Sequence, residues 1–409
     1  MMKRKVIILG AAGRDFHNFN TYYKNNQNYE IVAFTAEQIM GIDGRKYPRE
    51  LSGKLYPEGI PIYPESKLKE LIKEHQINEV VLSYSDLPYE YVMNRSALVN
   101  AAGATFVLLG LNDTQIKSNK PVIGVCAVRT GCGKSQTSRA VVKILKEHGK
   151  KVSAARHSMP YGNLAEQAVQ KFSELSDLKK HKCTIEEMEE YEPYIAEGLS
   201  IYAGVDYGAI LKEAEKNVDI VLWDGGNNDF SFYKTDLLIT VADPLRAGHE
   251  VKYYPGEVNF RAADVILINK VNSATEEQIK IIENNAKKLN PKAKVIRAES
   301  VLSVEEKIDL KGKKVLVIED GPTVTHGEMG IGAGYVYAKE HGAEIVNATT
   351  NAAGLIKSTF EKYSHLKNVL PAMGYSEQQI KDLEETINNT ECDLVVSGTP
   401  INLSRLVKT

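Results

Sequence analysis

The sequence predicts an α/β fold made of two successive parallel-sheet regions. Short runs rich in β-branched residues alternate with longer amphipathic runs over nearly the whole chain of 409 residues. This alternation is typical of β-α-β units, which build parallel sheets covered by helices. The polar segment at 111–121 interrupts it, ends in Pro121 and precedes a new strand. We therefore expect one domain at 1–118 and a larger domain at 119–409.

The first region has the element order of a Rossmann-like domain. Its strands are expected at 5–10, 29–36, 79–85 and 104–110, and its helices at 66–75 and 88–102. The turn after the first strand, LGAAGRDFHNFN, has Gly10 and Gly13 but lacks a third glycine at the dinucleotide-binding spacing. A nicotinamide site is therefore weakly supported.

The second region predicts one large α/β sheet, with a C-terminal subdomain at 310–409. Its helices are expected after Lys134, in the acidic stretch 183–198, and at 276–289 and 376–390. Its strands are expected at 121–128, 151–159, 218–226, 236–243, 263–270, 293–300, 313–321, 343–349 and 392–399.

Bulk composition excludes several classes of protein. Hydrophobic residues make up 43% and charged residues 25%, and the formal net charge is -2. Such a balance gives no electrostatic footprint for binding nucleic acid or a membrane surface. The four cysteines form no Cys-x-x-Cys pair, and no apolar run is long enough to span a bilayer. We expect a cytoplasmic protein, and a homodimer is compatible with the sequence.

A phosphate-binding loop is predicted in RTGCGKSQ, between the strand 121–128 and the helix that follows. The usual pattern Gly-x-x-x-x-Gly-Lys-Ser has Val128 in place of its first glycine, but the glycines, lysine and hydroxyl that cradle and contact phosphates are present. Arg129 stands where one class of nucleotide-binding proteins has a second basic residue. The nucleotide-binding residues are predicted to be Arg129, Thr130, Gly131, Cys132, Gly133, Lys134, Ser135, Gln136, Asn269 and Lys270.

The catalytic and metal-binding residues follow from the same loop. A phosphate loop needs an acidic residue at the end of a neighbouring strand to hold Mg²⁺ directly or through water. Asp224 ends the apolar strand VDIVLWD, and Asp229 is a weaker second candidate. We predict Lys134, Arg129 and Asp224 as catalytic residues, and Ser135 and Asp224 as the Mg²⁺ site. The alternative for Asp224 is that it only begins a turn.

The segment ADVILINKVN indicates whether the site prefers ATP or GTP. GTPases read guanine with Asn-Lys-x-Asp, in which the aspartate accepts two hydrogen bonds. Asn269 and Lys270 are present here, but Asn272 replaces the aspartate, and an amide has only one acceptor group to offer. The sequence therefore favours ATP over GTP.

Polar clusters at several strand ends predict a site for an anionic acceptor. Arginine forks suit carboxylates and phosphates, and the carboxyl ends of parallel strands face the ligand crevice. Asp243, Glu319, Asp320 and Thr323 belong to the same clusters. The predicted acceptor-binding residues are Arg14, Asp15, His17, Asn18, Arg156, His157, Arg246, His249, Thr325 and His326. The alternative for the first cluster is a helix cap at Asp15 beside solvated side chains.

These motifs together resemble the cyclic 2,3-diphosphoglycerate synthetase family. The segments that carry the resemblance are GRDFHNFN, GIDGRKYP, RTGCGKSQTSR, DGGNND, ADPLRAGHE, YPGEVNFRAADVILINK and EDGPTVTHGEMGIGAG. The resemblance implies a phosphate-loop NTPase domain that uses ATP and Mg²⁺ to activate 2,3-diphosphoglycerate, which closes into a cyclic phosphoanhydride with release of ADP and phosphate. The positions of the polar clusters in both domains also predict a shared acceptor site, in which the first domain caps the crevice and helps to bind the small anionic metabolite.

Two other functions are open from the sequence. A regulatory or chaperone-like GTPase would hydrolyse nucleotide slowly until a protein partner stimulated it. A metabolite sensor would bind nucleotide without turnover. A separate alternative to an acceptor site shared between the domains is that residues 1–118 form an independent regulatory module.

Overall fold

The computed structural model describes residues 3–37, 44–157, 162–226, 229–304, 306–325, 327, 329–374 and 376–408. The chain forms two compact units, one made of 1–171 and 200–298 and the other of 172–199 and 299–409. The predicted domain boundary between residues 118 and 119 does not coincide with the boundaries of these two units. The division into 1–118 and 119–409 therefore stays a prediction about functional modules. Within the described residues, no helix is both long and apolar enough to cross a membrane.

The first unit begins with a six-stranded sheet in the order β3-β4-β2-β1-β5-β7. All its described pairs are parallel except β3 with β4. Apolar side chains on both faces, such as Phe34 and Val80, are fully buried, so helices cover the sheet on both sides. The strands of this region are β1 (Arg4–Leu9), β2 (Tyr29–Ala36), β3 (Lys46–Tyr47), β4 (Ile60–Pro64), β5 (Glu79–Leu82), β6 (Leu87–Pro88) and β7 (Thr105–Val107). The helices are α1 (Arg14–Asn18), α2 (Arg49–Ser52), α3 (Leu68–Glu74), α4 (Tyr89–Ala101) and α5 (Leu111–Thr114).

An eight-stranded sheet follows, in the order β10-β11-β9-β12-β8-β13-β15-β16, and every pair from β11 to β16 is parallel. Its strands are β8 (Val122–Ala127), β9 (Val152–Arg156), β10 (Gln170–Phe172), β11 (Ile201–Ala203), β12 (Ile220–Asp224), β13 (Leu237–Ala242), β15 (Val265–Ile268) and β16 (Lys294–Arg297). A separate strand, β14 (Tyr253–Tyr254), pairs with β6 and ties this region to the first sheet. The helices of this region are α6 (Lys134–Glu147), α9 (Tyr207–Ala214), α10 (Gly256–Ala262) and α11 (Glu276–Leu289).

The second unit has its own parallel sheet around β17, with β18 and β19 along one edge and β20 along the other. Its strands are β17 (Lys314–Asp320), β18 (Glu344–Ile345), β19 (Leu370–Ala372) and β20 (Leu394–Gly398). Its helices are α7 (Leu175–Lys180), α8 (Ile185–Ala196), α12 (Gly321–Val324), α13 (Ala333–Glu340), α14 (Gly354–Lys362) and α15 (Glu377–Asn389). The Thr184 hydroxyl caps α8 by accepting the Glu187 N–H.

The α/β fold class with phosphate-loop architecture is confirmed. The expectation that one large sheet extends from residue 121 to the C-terminal strands is wrong. Among the residues that the structure describes, the eight-stranded sheet ends at β16, and the strands paired with β17 are β18, β19 and β20 of its own unit. Apolar strand patterns report burial but not the partner strand, so they could not separate the two sheets.

Candidate functional site

The phosphate loop lies between β8 and α6, as expected of a strand–loop–helix anion site. Gly133 immediately precedes α6 with φ of 101°, a left-handed conformation that suits glycine. The Cys132 thiol is buried, and burial raises its pKa to about 11. A thiol that stays protonated is a poor nucleophile, so this cysteine serves the loop through its backbone. Gln136 is exposed at the start of α6.

Lys134 and Arg156 both contact Asp224 at the carboxyl end of β12. The Lys134 ammonium donates to Asp224 Oδ1 over 2.7 Å, and Arg156 Nη1 donates to Oδ2 over 2.6 Å. The Ser138 hydroxyl donates to Oδ1 over 2.8 Å. Asp224 has no exposed surface, so this carboxylate is a buried counter-ion that accepts from Lys134, Arg156 and Ser138. The predicted grouping of Lys134 and Asp224 is therefore present.

Direct Mg²⁺ ligation by Asp224 does not fit this geometry. Both oxygens of Asp224 accept from cations, and a metal ion would have to displace Lys134 or Arg156. Ser135, on the first turn of α6, is half-buried. No group of three or more His, Cys, Asp or Glu side chains in the described part of the chain could hold a metal ion. Ser135 therefore fits a metal that arrives on a nucleotide better than Asp224 does.

Arg129 is held by the first sheet region. Its Nε lies 2.6 Å from Asp86 Oδ1, its Nη1 lies 2.9 Å from His249 Nδ1, and its guanidinium lies 3.6 Å from the centre of the Tyr253 ring. The Thr130 hydroxyl donates to the other oxygen of Asp86 over 2.9 Å. Asp86 thus joins the first sheet region to both leading residues of the phosphate loop.

The side chains of Asn269 and Lys270 support the phosphate loop through hydrogen bonds to its backbone carbonyls. Asn269 Nδ2 donates to the carbonyl of Cys132 over 2.9 Å, and Lys270 Nζ donates to that of Gly131 over 2.7 Å. Arg246 donates to the carbonyl of Thr130 over 2.6 Å. The carboxylate of Asp243 contacts both Lys270 and Arg246. These contacts use loop carbonyls, whereas an anion bound in the loop would use loop N–H groups.

Cationic side chains exceed carboxylates around the loop. Among the described residues of this cluster, five cations face three carboxylates, a surplus of two positive charges. A polyphosphate carries charge of the opposite sign, so the surplus favours its binding. The cations are Arg129, Lys134, Arg156, Arg246 and Lys270, and the carboxylates are Asp86, Asp224 and Asp243.

A second buried network joins the two sheets of the first unit. Arg14 Nη1 donates to Asp229 Oδ1 over 2.8 Å, and its guanidinium lies 3.7 Å from the centre of the Phe230 ring. His157 Nδ1 lies 3.2 Å from Asp229 Oδ2. Burial raises the pKa of Asp229 to about 7 and lowers that of His157 to about 3. A Cβ atom on Gly13 would lie 1.8 Å from His157 Nε2, so the glycine admits the ring.

Three other residues of the first predicted cluster hold the fold itself. Asp15 lies inside α1 and accepts the N–H groups of Ala12 and Gly13, so it is not the N-cap, which is Gly13. The helix-cap alternative with solvated side chains is wrong, because Arg14 and His17 are buried. His17 Nε2 lies 2.7 Å from the carbonyl of Thr114, and burial lowers the pKa of His17 to about 3. Asn18 donates to the Ser83 hydroxyl. A buried neutral histidine offers no positive charge to an acceptor, so the geometry favours the structural role for these residues.

The last predicted cluster belongs to the second unit. The Thr325 hydroxyl donates to the carbonyl of Gly321 over 2.6 Å, within the end of α12. His326 lies outside the described residues.

Sequence reasoning missed Asp86 and Ser138. Asp86 follows β5, so the rule that polar groups at strand ends face the crevice could have found it. Ser138 lies one helical turn after Lys134, on the same face of α6, and only the position of Asp224 gives it a role.

Comparison with known proteins agrees with this geometry. A family model described as the CobW/HypB/UreG nucleotide-binding domain matches residues 211–297, which include Asp224, Asp243, Asn269 and Lys270. A protein of Thermococcus kodakarensis named arginine synthetase ArcE is 57% identical over 406 residues, which is 99% of this chain and 91% of the relative.

Two more distant proteins complete the comparison. A cyclic 2,3-diphosphoglycerate synthetase of Thermococcus sibiricus is 25% identical over 289 residues, 63% of this chain and 64% of the relative. The crystal structure of the hydrogenase maturation factor HypB from Archaeoglobus fulgidus is 16% identical, with a TM-score of 0.27 over 44% of this chain and 80% of that chain. At that level the structural likeness carries no functional argument.

Proposed function

The chain belongs to the family of arginine synthetase ArcE and is an ATP-dependent enzyme of the ligase type, and from this premise we propose that it makes arginine from citrulline, ammonia and ATP. The resemblance to cyclic 2,3-diphosphoglycerate synthetases is real but distant, at 25% and 22% identity over part of the chain. The general expectation of a nucleotide-dependent synthetase holds, and the proposed acceptor changes from a phosphorylated acid to an amino acid.

The choice of citrulline follows from the product and from phosphate-loop chemistry. Arginine carries a nitrogen where citrulline carries its ureido oxygen, and that oxygen is a poor leaving group. Transfer of the γ-phosphoryl group of ATP to the ureido oxygen releases ADP and converts the oxygen into a phosphate ester. Ammonia then forms a bond to the ureido carbon, and phosphate leaves with the oxygen and the bonding electron pair. Citrulline, ammonia and ATP thus give arginine, ADP and phosphate.

The surplus of cations around the phosphate loop is the observation that carries the proposal. Lys134 and Arg156 both contact Asp224, and Arg129 lies at the start of the same loop. These three cations would neutralise the charge that spreads over the transferred phosphoryl group. Asp224 would keep Lys134 and Arg156 in position, because it binds both and has no exposed surface. Positioning of the two reactants supplies much of the remaining rate enhancement.

Mg²⁺ suits this proposal as a companion of ATP. The Ser135 hydroxyl would hold the metal, which would supply positive charge to offset that of the phosphates. Asp224 would act through Lys134 and Arg156.

An isotope experiment tests the proposed chemistry directly. Citrulline labelled with ¹⁸O at the ureido oxygen is incubated with ammonium chloride, MgATP and the enzyme, and the phosphate and arginine are analysed by mass spectrometry. We expect arginine and ADP in equal amounts and one ¹⁸O atom in each phosphate. Formation of AMP, or phosphate without label, would exclude phosphoryl activation of the ureido oxygen.

A parallel incubation tests the second candidate, which the distant cyclic 2,3-diphosphoglycerate synthetases favour. The enzyme is given 2,3-diphosphoglycerate and MgATP without citrulline, and products are followed by ³¹P NMR. A cyclic phosphoanhydride formed faster than arginine would reverse the order of the two candidates.

A further inference from the structure

Arg129, at the start of the phosphate loop, has contacts to which the proposed chemistry gives no role. Its Nε takes part in the ion pair with Asp86, whereas its Nη1 lies 2.9 Å from His249 Nδ1. Its guanidinium also lies 3.6 Å from the centre of the Tyr253 ring. These contacts keep Arg129 only 3% exposed. Since the loop is the expected place of the phosphates, the partners of Arg129 decide how it can serve them.

The hydrogen bond between Arg129 and His249 defines the form of the imidazole ring. A guanidinium group has five donors and no acceptor, so His249 Nδ1 must accept and the ring proton must lie on Nε2. A protonated ring would present an N–H group to the guanidinium and lose this bond. His249 is therefore a neutral acceptor for Arg129.

The groups around His249 favour its neutral form. Burial, followed by the positive charges of Arg129, Arg246 and Lys252, lowers the pKa of His249, and the nearby Asp86 raises it in part. The ring is therefore uncharged at pH 8. An uncharged acceptor leaves the positive charge of Arg129 available to a phosphate, whereas the carboxylate of Asp86 offsets that charge.

The turn that carries His249 is anchored to its surroundings. Gly248 precedes it with φ of 92°, a left-handed conformation that suits glycine, and a short 3₁₀ turn runs from His249 to Val251. The buried carboxylate of Glu250 accepts the Gly248 N–H over 2.8 Å and an N–H of the Asn285 amide over 2.6 Å. Asn285 belongs to α11, so the position of the imidazole is fixed from outside the phosphate loop.

Tyr253 provides an aromatic surface for both Arg129 and His249. The centres of the His249 and Tyr253 rings lie 4.9 Å apart with 27° between their planes, and the Arg129 guanidinium lies over the same tyrosine ring. Such contact of a cation with an aromatic face is favourable. Tyr253 belongs to β14, which pairs with β6, and Asp86 directly precedes β6. The two paired strands thus bring a neutral and a charged partner to one guanidinium.

We propose that His249 is a positioning residue for Arg129, which it holds beside the loop, together with Tyr253, while the γ-phosphate of ATP takes the place of Asp86 as the charged partner. The inference rests on the part of the proposed function that assigns Arg129 to the transferred phosphoryl group, and not on the identity of the acceptor. The sequence predicted His249 as an acceptor-binding residue, whereas in this proposal it acts through Arg129.

Nucleotide binding to the full-length protein tests the proposal without any acceptor. Titration calorimetry at pH 8 compares MgADP with the Mg²⁺ complex of a non-hydrolysable ATP analogue, and the ratio of the two affinities reports contacts to the γ-phosphate. His249→Leu removes the acceptor nitrogen. We expect it to lower the ratio by about threefold to tenfold and to leave MgADP binding nearly unchanged. His249→Ala, which adds no apolar bulk, gives the same test if the leucine variant is unstable.

A double-mutant cycle separates positioning from a general structural role. In the Arg129→Ala protein we expect His249→Leu to change the ratio no further, because its effect requires the guanidinium. His249→Asn should restore the ratio, since its side-chain oxygen can accept a hydrogen bond near the place of Nδ1. His148→Leu, the same change at an exposed histidine that follows α6, is the matched control and should keep the wild-type ratio.

Three outcomes would overturn the role of His249. They are an unchanged ratio in both His249→Leu and His249→Ala, an equal fall of the ratio with and without Arg129, and a ratio as low in His249→Asn as in His249→Leu. An unchanged ratio in Arg129→Ala would overturn it together with the proposed role of Arg129. The isotope experiment with citrulline can fail while these nucleotide affinities change as expected. A failure of the proposed reaction and a failure of the positioning role are therefore distinguishable.

Discussion

The carboxylate of Asp86, beyond the end of β5, and the guanidinium of Arg129, at the start of the phosphate loop, lie 2.6 Å apart. The same carboxylate accepts the hydroxyl of Thr130. An anion bound in the loop has to compete with Asp86 for Arg129. The first sheet region thereby influences how tightly the loop binds phosphate.

Asp86→Asn should tighten the binding of MgATP severalfold, because the buried Arg129 loses a competing carboxylate, a contact worth on the order of 1 kcal/mol. Asparagine suits the site, since residue 86 has φ of 57° and asparagine tolerates this conformation. Arg129→Ala should weaken binding. Calorimetry with a non-hydrolysable ATP analogue measures both, and Glu90→Ala, an exposed change nearby in the chain, is the control. Weaker binding in Asp86→Asn would show that Asp86 serves the loop only as a support.

Lys134→Ala should lower kcat by about 10²–10³ or more, because it removes one cation from the developing charge of the transferred phosphoryl group. Arg156 and Ser138 still bind Asp224, so the fold should persist. Release of ADP gives the rate, and thermal unfolding reports the fold. Lys143→Ala, on an exposed part of the same helix, should have full activity. Substantial turnover by a folded Lys134→Ala protein would show that the phosphate loop is not part of the active site.

Ser135→Ala and Ser138→Ala should have different effects. The first removes the proposed metal ligand, so we expect lower kcat and a higher Mg²⁺ requirement with unchanged stability. The second removes one hydrogen bond to Asp224, so the free energy of unfolding should fall by about 1 kcal/mol with the Mg²⁺ requirement unchanged. Mg²⁺ titrations of activity and denaturant unfolding separate the two. A Mg²⁺ requirement that changes in Ser138→Ala but not in Ser135→Ala would indicate that Asp224, and not Ser135, binds the metal.

Asn272→Asp should raise the affinity for GTP relative to ATP, because a carboxylate can accept the two hydrogen bonds that guanine donates. Asn272 is exposed, so the change should leave stability nearly unaltered. Competition between the two nucleotides at fixed Mg²⁺ gives the ratio of affinities. Preference for GTP in the unaltered protein would contradict the inference drawn from Asn272.

His17 should contribute to loss of stability in acid. Its pKa is lowered from 6.5 to about 3 in the folded protein, so the unfolded chain binds one more proton between these values. The contribution is present above pH 6.5 and is lost as the pH falls, by up to about 1.4 kcal/mol per pH unit. His17→Gln removes the titration, and its amide can donate to the carbonyl of Thr114. Denaturant unfolding from pH 6.5 to pH 4.5 should show a shallower loss in the variant. Equal slopes would mean that folded His17 is charged.

The sequence predicted local features well and distant pairings poorly. The strand before the phosphate loop, the helix after it and the position of Asp224 follow from apolar runs that end in polar residues. Periodicity places these residues at the correct edge of the sheet. The contact between Asp86 and Arg129, and the separate sheet around β17, depend on which distant segments meet, and no local pattern encodes that. His17 was predicted to bind the acceptor because it follows a strand end. The sequence pattern around such a histidine is the same whether its side chain faces solvent or is buried.

The close approach of Gly13 to His157 limits how such a chain can be altered by recombination. Gly13 belongs to the first sheet region and His157 follows β9, and a single added carbon at residue 13 would overlap the imidazole ring. Exchange of the first 118 residues for those of a distant relative would succeed only if the glycine and the histidine were inherited together. The two halves of the first unit should therefore be transferable between proteins as a pair, and seldom one at a time.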